Sequence, residues 1–383
     1  MMTNRRQAIT LACAAAAVLA RPTLGFAARK PSADGVLRLG QSTALTGSNG
    51  AVGRQFRDAA LGWFNLANSQ GGAGGYRIEL VTLDDGGVVE RATTNAKLLA
   101  STHGAVGFFG FAGPGANREG MQGAMEEGVP FIAPVSGMDV LRQRDNTNVY
   151  LLRAGHRDEI RQIIRHTSST GITRVALLFE YESAGWEIRD SFAQAADTAK
   201  LASSVSASVS RGSADVGPAV AALVAANPQA IILAANPSAS AAFVRAARKA
   251  GFGGSFYTVS TVGGQVLLDQ LGQLAVGISV AQVVPFPWGG TTAISREFLG
   301  FCTASQVKPD FASMEGYIAA RWLTEALKRA KPREPSAAAL GAALEQMPAF
   351  SLSGFPLAFS SGTRSASSFV ELTVVSNQLK FLK

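Results

Sequence analysis

The sequence is poor in the residues on which many enzymes depend for catalysis and metal binding. Among 383 residues there are three histidines and two cysteines, and no pair of them has the spacing of a zinc site. The Gly-x-Ser-x-Gly pattern of a hydrolase is absent. No glycine-rich stretch has the Lys-Ser/Thr of a phosphate-binding loop or the spacing of a dinucleotide fingerprint. We therefore expect a protein that is not an enzyme and that has no cofactor and no metal.

Charged residues are sparse too, at 16% of the chain against 47% for hydrophobic residues. This is the composition of a globular protein and not of a disordered chain. The length of 383 residues is long for one hydrophobic core and suits two domains. The basic residues are scattered at helical spacings, which is typical of solvated helix faces and not of a nucleic-acid-binding patch. We expect no nucleic-acid partner.

The first 27 residues have the pattern of a secretory signal peptide. Arg5 and Arg6 precede an apolar, alanine-rich run at 8–20, and the small-x-small pattern Gly25-Phe26-Ala27 follows, as in a positive region, an apolar region and a cleavage site. The apolar run is too short to span a bilayer as a helix. The paired arginines also fit part of a twin-arginine signal, so that route and general secretion both stay open. We predict an exported protein with residues 1–27 as its signal peptide.

Cleavage of this signal would change the charge and the cysteine content. Loss of Arg5, Arg6 and Arg21 would lower the formal net charge from +8 to +5. Cys13 would leave with the signal, and Cys302 would then have no intramolecular partner. Cys302 lies in an apolar segment, which predicts a buried, unpaired thiol that packs like a small hydrophobic side chain.

From residue 36 onward, short apolar runs alternate with segments of helical periodicity. Continuous apolar runs of this kind are typical of parallel strands that are covered on both faces. The predicted strands span 36–42, 76–83, 149–152, 175–179, 230–235, 256–259, 356–359, 369–375 and 379–382. The predicted helices span 53–68, 89–101, 118–128, 158–170, 184–200, 238–250, 292–305, 311–331 and 336–346.

Two consecutive series of strands and helices predict an α/β fold class, with two doubly wound βαβ lobes. The segment 280–288 is interpreted as a return between the lobes, and 351–355 as a third crossing. The lobes are assigned residues 36–152 plus 286–350 for lobe 1, and 153–285 plus 356–383 for lobe 2.

Two strand-end loops within 105–137 are the centre of the functional prediction. A strand and its loop precede the helical segment 118–128, and a second strand and loop follow it. In open α/β sheets, ligands bind at the carboxyl ends of the strands, where both loops are expected to lie. Because neighbouring residues of a buried strand face opposite layers, Phe108 or Phe109 is assigned to the core. Phe111 lies past the strand end and is predicted to face the cleft.

An ordered set of motifs gives the chain a family resemblance. The set includes Leu-Gly-Gln-Ser-Thr-Ala-Leu-Thr-Gly at 39–47, the pair Asp84 and Asp85, Val-Pro-Phe-Ile-Ala-Pro at 129–134, and Phe-Val-Arg-Ala-Ala-Arg-Lys-Ala-Gly at 243–251. These motifs, together with the predicted signal peptide, resemble the type I periplasmic binding proteins. The resemblance is specifically to the leucine/isoleucine/valine-binding group of ABC importers, and it covers nearly all of the chain that follows the signal.

The resemblance implies two lobes that are joined by three crossovers and that close over a small-molecule ligand. It implies a periplasmic location, a monomeric protein, and the membrane subunits of an ABC permease as partners. In the amino-acid-binding members, loops after the third and fourth strands hold the ligand carboxylate. An acidic residue of the second lobe, together with tyrosines, holds the ammonium group.

This sequence departs from the family pattern at several of the positions that match. Gly137 stands where a threonine is usual, and Ser260 occupies the acidic position. The two aromatic positions fall at Ala184 and Asn236, although Asn236 also suits a helix N-cap. The candidate ligand-binding residues are Phe111, Ala112, Gly113, Val135, Ser136, Gly137, Tyr181, Ala184, Asn236, Ser260 and Thr261.

The missing acidic residue bears on the ligand. A buried ammonium group without a counter-charge costs several kcal/mol. Glu180, Glu182 and Glu315 are the carboxylates expected to approach the cleft from nearby. We therefore predict a carboxylate or aromatic ligand that is not a standard amino acid. Leucine, isoleucine or valine binding stays open as an alternative, as does a role as a periplasmic ligand sensor for a signalling receptor.

Overall fold

The computed structural model describes residues 35–47, 50–359 and 364–383. The predicted signal peptide at 1–27 lies outside these described residues. Within them, no helix combines the length and the apolar character that a membrane span requires.

The first part of the described chain alternates strands with helices. Its elements are β1 (Val36–Thr43), α1 (Gly50–Ser69), β2 (Arg77–Asp84), α2 (Val89–Ser101), β3 (Gly107–Phe109), α3 (Pro114–Glu126), β4 (Phe131–Ile132), a 3-10 helix (Asp139–Arg142) and β5 (Val149–Tyr150). These strands form one parallel sheet in the order β2-β1-β3-β4-β5. The order of the strands places the end of β4 beside the ends of β3 and β5.

The second part of the chain repeats the alternation. Its elements are α4 (His156–Ser169), β6 (Arg174–Tyr181), α5 (Ser183–Thr198), β7 (Ser203–Ser210), α6 (Gly217–Ala225), β8 (Ala230–Ala234), α7 (Pro237–Lys249), β9 (Ser255–Thr258), α8 (Gln265–Leu271), a 3-10 helix (Gly272–Ala275) and β10 (Ser279–Gln282). The remaining elements are α9 (Ala293–Ser305), α10 (Phe311–Ala330), α11 (Ala337–Glu345), β11 (Phe350–Leu352), β12 (Phe355–Leu357), β13 (Glu371–Val375) and β14 (Phe381–Leu382).

The second sheet has the order β14-β13-β10-β9-β8-β6-β7, and β11 pairs with β12 in a small sheet of their own. Its strands run parallel from β7 to β10, while β13 and β14 are antiparallel additions at one edge. Two mainly parallel sheets with covering helices confirm the predicted α/β fold class. The sequence did not predict β7, α6 or α8. It interpreted 280–288 as a return between the lobes, whereas the first residues of this segment belong to β10 of the second sheet.

The predicted third crossing at 351–355 is wrong, because this segment is the turn between β11 and β12. Ser353 and Gly354 have φ values of 50° and 88°, and φ is positive at both central residues of a type I′ hairpin turn. The hairpin packs into the core of the first sheet through Leu352, Phe355 and Leu357. The passage to the second sheet follows it, before β13. A lobe boundary near residue 368 therefore describes the packing better than one at 356.

The prediction that Phe111 faces the cleft is also wrong for its side chain. Gly110, with φ of 65°, turns the chain just after β3, so the residue past the strand end points into the lobe instead of into the cleft. The ring of Phe111 is fully buried, and its centroid lies 5.3 Å from that of Phe108 and 5.4 Å from that of Phe131. Phe111 is therefore a core residue of lobe 1.

Helices α1 and α10 approach each other closely where they cover the first sheet. A Cβ atom at Gly316 of α10 would lie 2.2 Å from the carbonyl oxygen of Phe56 in α1. Gly300 of α9, by contrast, is exposed and has no atom within 4 Å of such a Cβ. The glycine at 316 is thus required by packing, whereas the glycine at 300 is not.

Cys302 of α9 lies in the same core, with 3% of its surface exposed. It is a free cysteine, as predicted, and burial raises the pKa of its thiol to about 12. The thiolate form, which is the reactive one, is therefore scarce at neutral pH.

Candidate functional site

A buried guanidinium connects the two sheets at their carboxyl edges. Arg153 follows β5, at the first passage between the lobes, and has 3% of its surface exposed. Its Nη1 lies 3.3 Å from Oε2 of Glu315 in α10. Its Nη2 donates to Oγ of Ser260, which follows β9, and lies 3.9 Å from Oε1 of Glu159 in α4. One cation therefore contacts both lobes.

The two carboxylates around Arg153 are as buried as the guanidinium. Glu159 is fully buried and Glu315 has 6% of its surface exposed. Oε2 of Glu159 accepts a hydrogen bond of 2.6 Å from the backbone N–H of Ser260. Burial raises the pKa of both carboxyls, and the positive charge of Arg153 opposes that rise. We call the passage between the lobes at Arg153 the hinge. The ion cluster, formed by Arg153, Glu159, Glu315 and Ser260, fixes the loop after β9 against this hinge.

The imidazole of His156 lies beside this cluster and packs against the loop after β4. Its backbone N–H donates to the carbonyl oxygen of Gly137 at 2.8 Å, and its Nε2 lies 3.4 Å from Oγ1 of Thr261. A Cβ atom at Gly137 would lie 2.3 Å from Cδ2 of the ring. The imidazole therefore occupies the space that a threonine side chain at 137 would need.

Burial, with Arg153 and Arg142 nearby, lowers the pKa of His156 to about 3. The unfolded chain binds this proton near pH 6.5, so the unfolded state holds more protons between pH 6.5 and pH 3. The stabilising contribution of neutral His156 is therefore complete above pH 6.5 and is lost as the pH falls below it, by up to ~1.4 kcal/mol per pH unit.

Replacement of His156 by glutamine is expected to reduce this acid sensitivity. The measurement is urea unfolding of both proteins between pH 7 and pH 5, followed by subtraction of the two stability curves. Subtraction removes the titration of the carboxyls, which both proteins share. A difference curve that is flat across this range would contradict the buried neutral imidazole.

The predicted residues of lobe 1 lie next to each other, and most of the contacts between them are made by backbone atoms. The N–H of Val135 donates to the carbonyl oxygen of Phe111 at 2.8 Å, and Ala112 forms a parallel bridge with Val135. Gly113, with φ of 103°, is the N-cap residue of α3. Ser136 is buried, and its Oγ accepts a hydrogen bond of 3.2 Å from the N–H of Met138.

Only two of the five predicted residues of lobe 2 lie at the hinge. Ser260 and Thr261 contact Arg153 and His156 and so belong to the cluster at the hinge. Tyr181 is 61% exposed, with its ring 5.2 Å from that of Trp186.

Asn236 and Ala184 have structural contacts. Asn236 is the N-cap of α7, because its side chain accepts a hydrogen bond of 3.0 Å from the N–H of Ala239. Its amide also donates to Glu180 at 2.9 Å. Ala184 is buried in a cluster that otherwise consists mainly of lobe 1 residues, including Phe108 and Leu141.

Sequence reasoning missed Arg153 and Glu159 as candidate site residues. Glu159 lies on the buried face of α4, beside Ile160 and Ile163. A charge within an apolar helical stripe is the one sequence signal that pointed to it, because buried charges in proteins are paired. Its partner was not visible, since Arg153 precedes the helix and its other contacts come from distant segments.

The three carboxylates expected to approach the cleft all have partners in the protein. Glu315 pairs with Arg153. Oε1 of Glu180 accepts hydrogen bonds from Asn236 and from the backbone N–H of Gly212. Glu182 lies 3.6 Å from the guanidinium of Arg211. None of the three is available to an ammonium group without the loss of a contact.

The pair Asp84 and Asp85 caps the turn that follows β2. Asp84 accepts from the N–H of Gly86 at 2.9 Å, and Asp85 accepts from the N–H of Gly87 at 2.8 Å. In the described part of the chain, no group of histidine, cysteine, aspartate and glutamate side chains is arranged to hold a metal ion.

A cavity of about 1030 Å³ lies between the lobes, near the 3-10 helix that follows β4. Its walls are formed by that 3-10 helix, by α4 and α5, and by the segment before β13. Charged and polar side chains predominate among its lining residues, which include Asp139, Arg157, Glu187, Asp190 and Ser191.

Two α/β lobes whose strand ends face each other across a hinge define a two-lobed ligand-binding protein. The comparisons agree with this class. The sequence profile described as periplasmic binding protein matches residues 36–378. The chain belongs to the periplasmic binding protein family.

Solved structures support the same assignment. A possible leucine/isoleucine/valine-binding protein from Rhodopirellula baltica SH 1 is 26% identical, with a TM-score of 0.83 over 93% of this chain and 98% of that one. A substrate-binding periplasmic protein from Ralstonia solanacearum is 29% identical, with a TM-score of 0.80 over 90% and 99% of the two chains.

A more distant structure shares the fold. It is the solute-binding protein of an ABC transporter from R. palustris in complex with benzoate, at 17% identity and a TM-score of 0.75, over 91% of this chain and 95% of that one. No curated protein matches the sequence.

Proposed function

We propose that this protein is an exported solute-binding protein that delivers a small organic carboxylate to the membrane subunits of an ABC importer. The family assignment and the two facing lobes support a binding role. The resemblance to the leucine/isoleucine/valine-binding group supports the importer as the partner. The carboxylate is proposed to lie between the strand-end loops of the two lobes.

One observation carries the ligand class. At Ser260, where the amino-acid-binding relatives are expected to place an acidic residue, this protein has a serine that accepts a hydrogen bond from Arg153. A positive group thus reaches the position where an ammonium-binding site needs a negative one. The nearby carboxylates are paired within the protein, so an ammonium group would have to displace one of their partners at a cost of several kcal/mol.

The aromatic part of the proposed ligand has weaker support. Phe111, which the sequence assigned to the cleft, packs in the core. The benzoate complex of the distant relative supports only the statement that this fold can enclose an aromatic acid. We therefore propose a carboxylate without an α-ammonium group as the defining feature, with aliphatic and aromatic acids both included.

A thermal-shift screen with matched ligand pairs tests this proposal. Each pair differs only in the α-ammonium group: leucine against 4-methylpentanoate, valine against 3-methylbutanoate, and phenylglycine against phenylacetate. Benzoate and succinate complete the panel. A ligand at one hundred times its Kd should add about 2.7 kcal/mol of stability.

We expect at least one carboxylate without the ammonium group to raise the melting temperature, while its amino-acid partner has little effect. Stabilisation by leucine or valine, with no effect of the matched acids, would contradict the proposed ligand class. Mass spectrometry of the ligand recovered after incubation checks that it is bound and released unchanged, as expected of a binding protein.

A further inference from the structure

One face of α5 makes most of the polar contacts that we describe between the two lobes away from the hinge. Ser183, Glu187 and Ser191 are four residues apart along this helix, so they lie in one row on its surface. Each contacts a residue of lobe 1. The row therefore runs along the side of the cleft where the lobes meet.

Three contacts define this row. Oγ of Ser183 accepts a hydrogen bond from Nη2 of Arg118 in α3. Oε2 of Glu187 accepts from the backbone N–H of Asp139 at 2.8 Å. Oγ of Ser191 lies 3.4 Å from Oδ2 of Asp139. Arg157 of α4 adds a longer ion pair to Asp139, at 3.6 Å.

The contact of Glu187 is the one of the three that is made to the backbone of lobe 1, because its carboxylate caps the first turn of the 3-10 helix that follows β4. A hydrogen bond from a backbone N–H to a carboxylate is charge-assisted and about twice as strong as a neutral one. The 3-10 helix is itself anchored in lobe 1, since Met138 and Leu141 are buried in its core. Movement of α5 away from lobe 1 would break this bond.

We propose that the Ser183–Glu187–Ser191 face of α5 is a closure latch, and that Glu187 raises ligand affinity without contacting the ligand. The cavity of about 1030 Å³ borders the latch and has walls from both lobes, so its size depends on how far the lobes are closed. Contacts that stabilise the closed form raise ligand affinity, because less of the binding free energy is then needed to close the lobes. Glu187 is thus a positioning residue.

The test compares Glu187→Ala with Gln194→Ala. Both positions lie on α5 and line the same cavity, and alanine suits a helix at both. Hydrogen exchange of the backbone around 138–142 and small-angle X-ray scattering are measured on the ligand-free proteins. We expect Glu187→Ala to speed exchange at Asp139 and to increase the radius of gyration, while Gln194→Ala leaves both unchanged.

Affinity is measured for the carboxylate that gives the largest shift in the screen above. Loss of one charge-assisted bond is expected to weaken it roughly tenfold or more. Glu187→Gln keeps an amide oxygen as acceptor, so its exchange, radius of gyration and affinity should lie between those of the alanine variant and the unmodified protein. It replaces the alanine variant in the test if that variant folds poorly. Exchange and scattering identical to those of the unmodified protein would overturn the latch.

The proposal rests on the proposed function only for its affinity readout. Exchange and scattering need no ligand, so they decide on the latch even if every compound in the screen fails to bind. Conversely, a latch that opens as expected in a protein that binds only leucine would leave the inference standing and would overturn the ligand class.

Discussion

Replacement of Arg153 by methionine is expected to lower the free energy of unfolding by about 3–5 kcal/mol at pH 7. Methionine fills much of the same volume, so the loss comes from charge. Glu159 and Glu315 would remain in the interior without the cation that each contacts. Ser260 would lose its donor as well. Urea unfolding followed by circular dichroism gives the free energy.

Arg161→Met is the matched control for this variant. Arg161 also belongs to the hinge-proximal helix α4, but it is 55% exposed and pairs with Asp158 at the surface. Exposed ion pairs contribute about 0–1 kcal/mol, so the control should remain close to the unmodified protein. A loss of unfolding free energy for Arg153→Met that is no larger than the loss for the control would contradict the buried ion cluster.

The deficit of Arg153→Met is expected to depend on pH. Removal of the guanidinium takes away the largest influence that opposes burial, so the pKa of Glu159 and Glu315 should rise further above the values of the unfolded chain. A group whose folded pKa is raised contributes stability below its unfolded pKa and loses it as the pH rises. The deficit should therefore be smallest below about pH 4.5 and largest at neutral pH. A constant deficit would argue for lost packing instead.

Gly316→Ala is expected to cost about 1–3 kcal/mol, because the new methyl group has no space between α1 and α10. The obstacle is the backbone carbonyl of Phe56 at 2.2 Å, and a backbone cannot rotate away as a side chain can. One of the two helices would have to move. The measurement is again the free energy of unfolding.

Gly300→Ala provides the opposite result in a similar helix. This glycine is exposed, and nothing lies within 4 Å of the added atom. Alanine should stabilise α9 by about 0.5–1 kcal/mol through its better helix propensity. A gain at both positions would mean that α1 and α10 are farther apart than the structure shows.

The strands and helices with clear apolar periodicity were predictable from the sequence. Strands such as β6 and β8 are covered on both faces, so their continuous apolar runs are visible without any structure. Strand β7 was not predicted, because its serines alternate with small apolar residues and it lies at the edge of the sheet. Its identity as a strand depends on pairing with β6, which is a tertiary property.

The hinge cluster was not predictable, for a different reason. Arg153, Glu159 and Glu315 come from a strand end and two helices, and the third lies more than 150 positions from the first two in the sequence. Each charge is ordinary when read locally. Only the fold shows that the three groups share one buried volume, in which Arg153 offsets part of the charge of the two carboxylates. The position of Ser260 at the site was implied by the family resemblance, but its partner was not.

The burial of Cys302 makes the protein well suited to site-specific labelling. It is the only cysteine in the described part of the chain, and its thiol is buried and protonated at neutral pH. A cysteine introduced at Tyr181, which is 61% exposed and ends β6, would react with maleimide dyes in its place. Because the carboxyl end of β6 faces the cleft, a dye there is expected to change its emission as the lobes move. The same burial that protects the core thus makes the protein a ready scaffold for a reagentless fluorescent sensor of its own ligand.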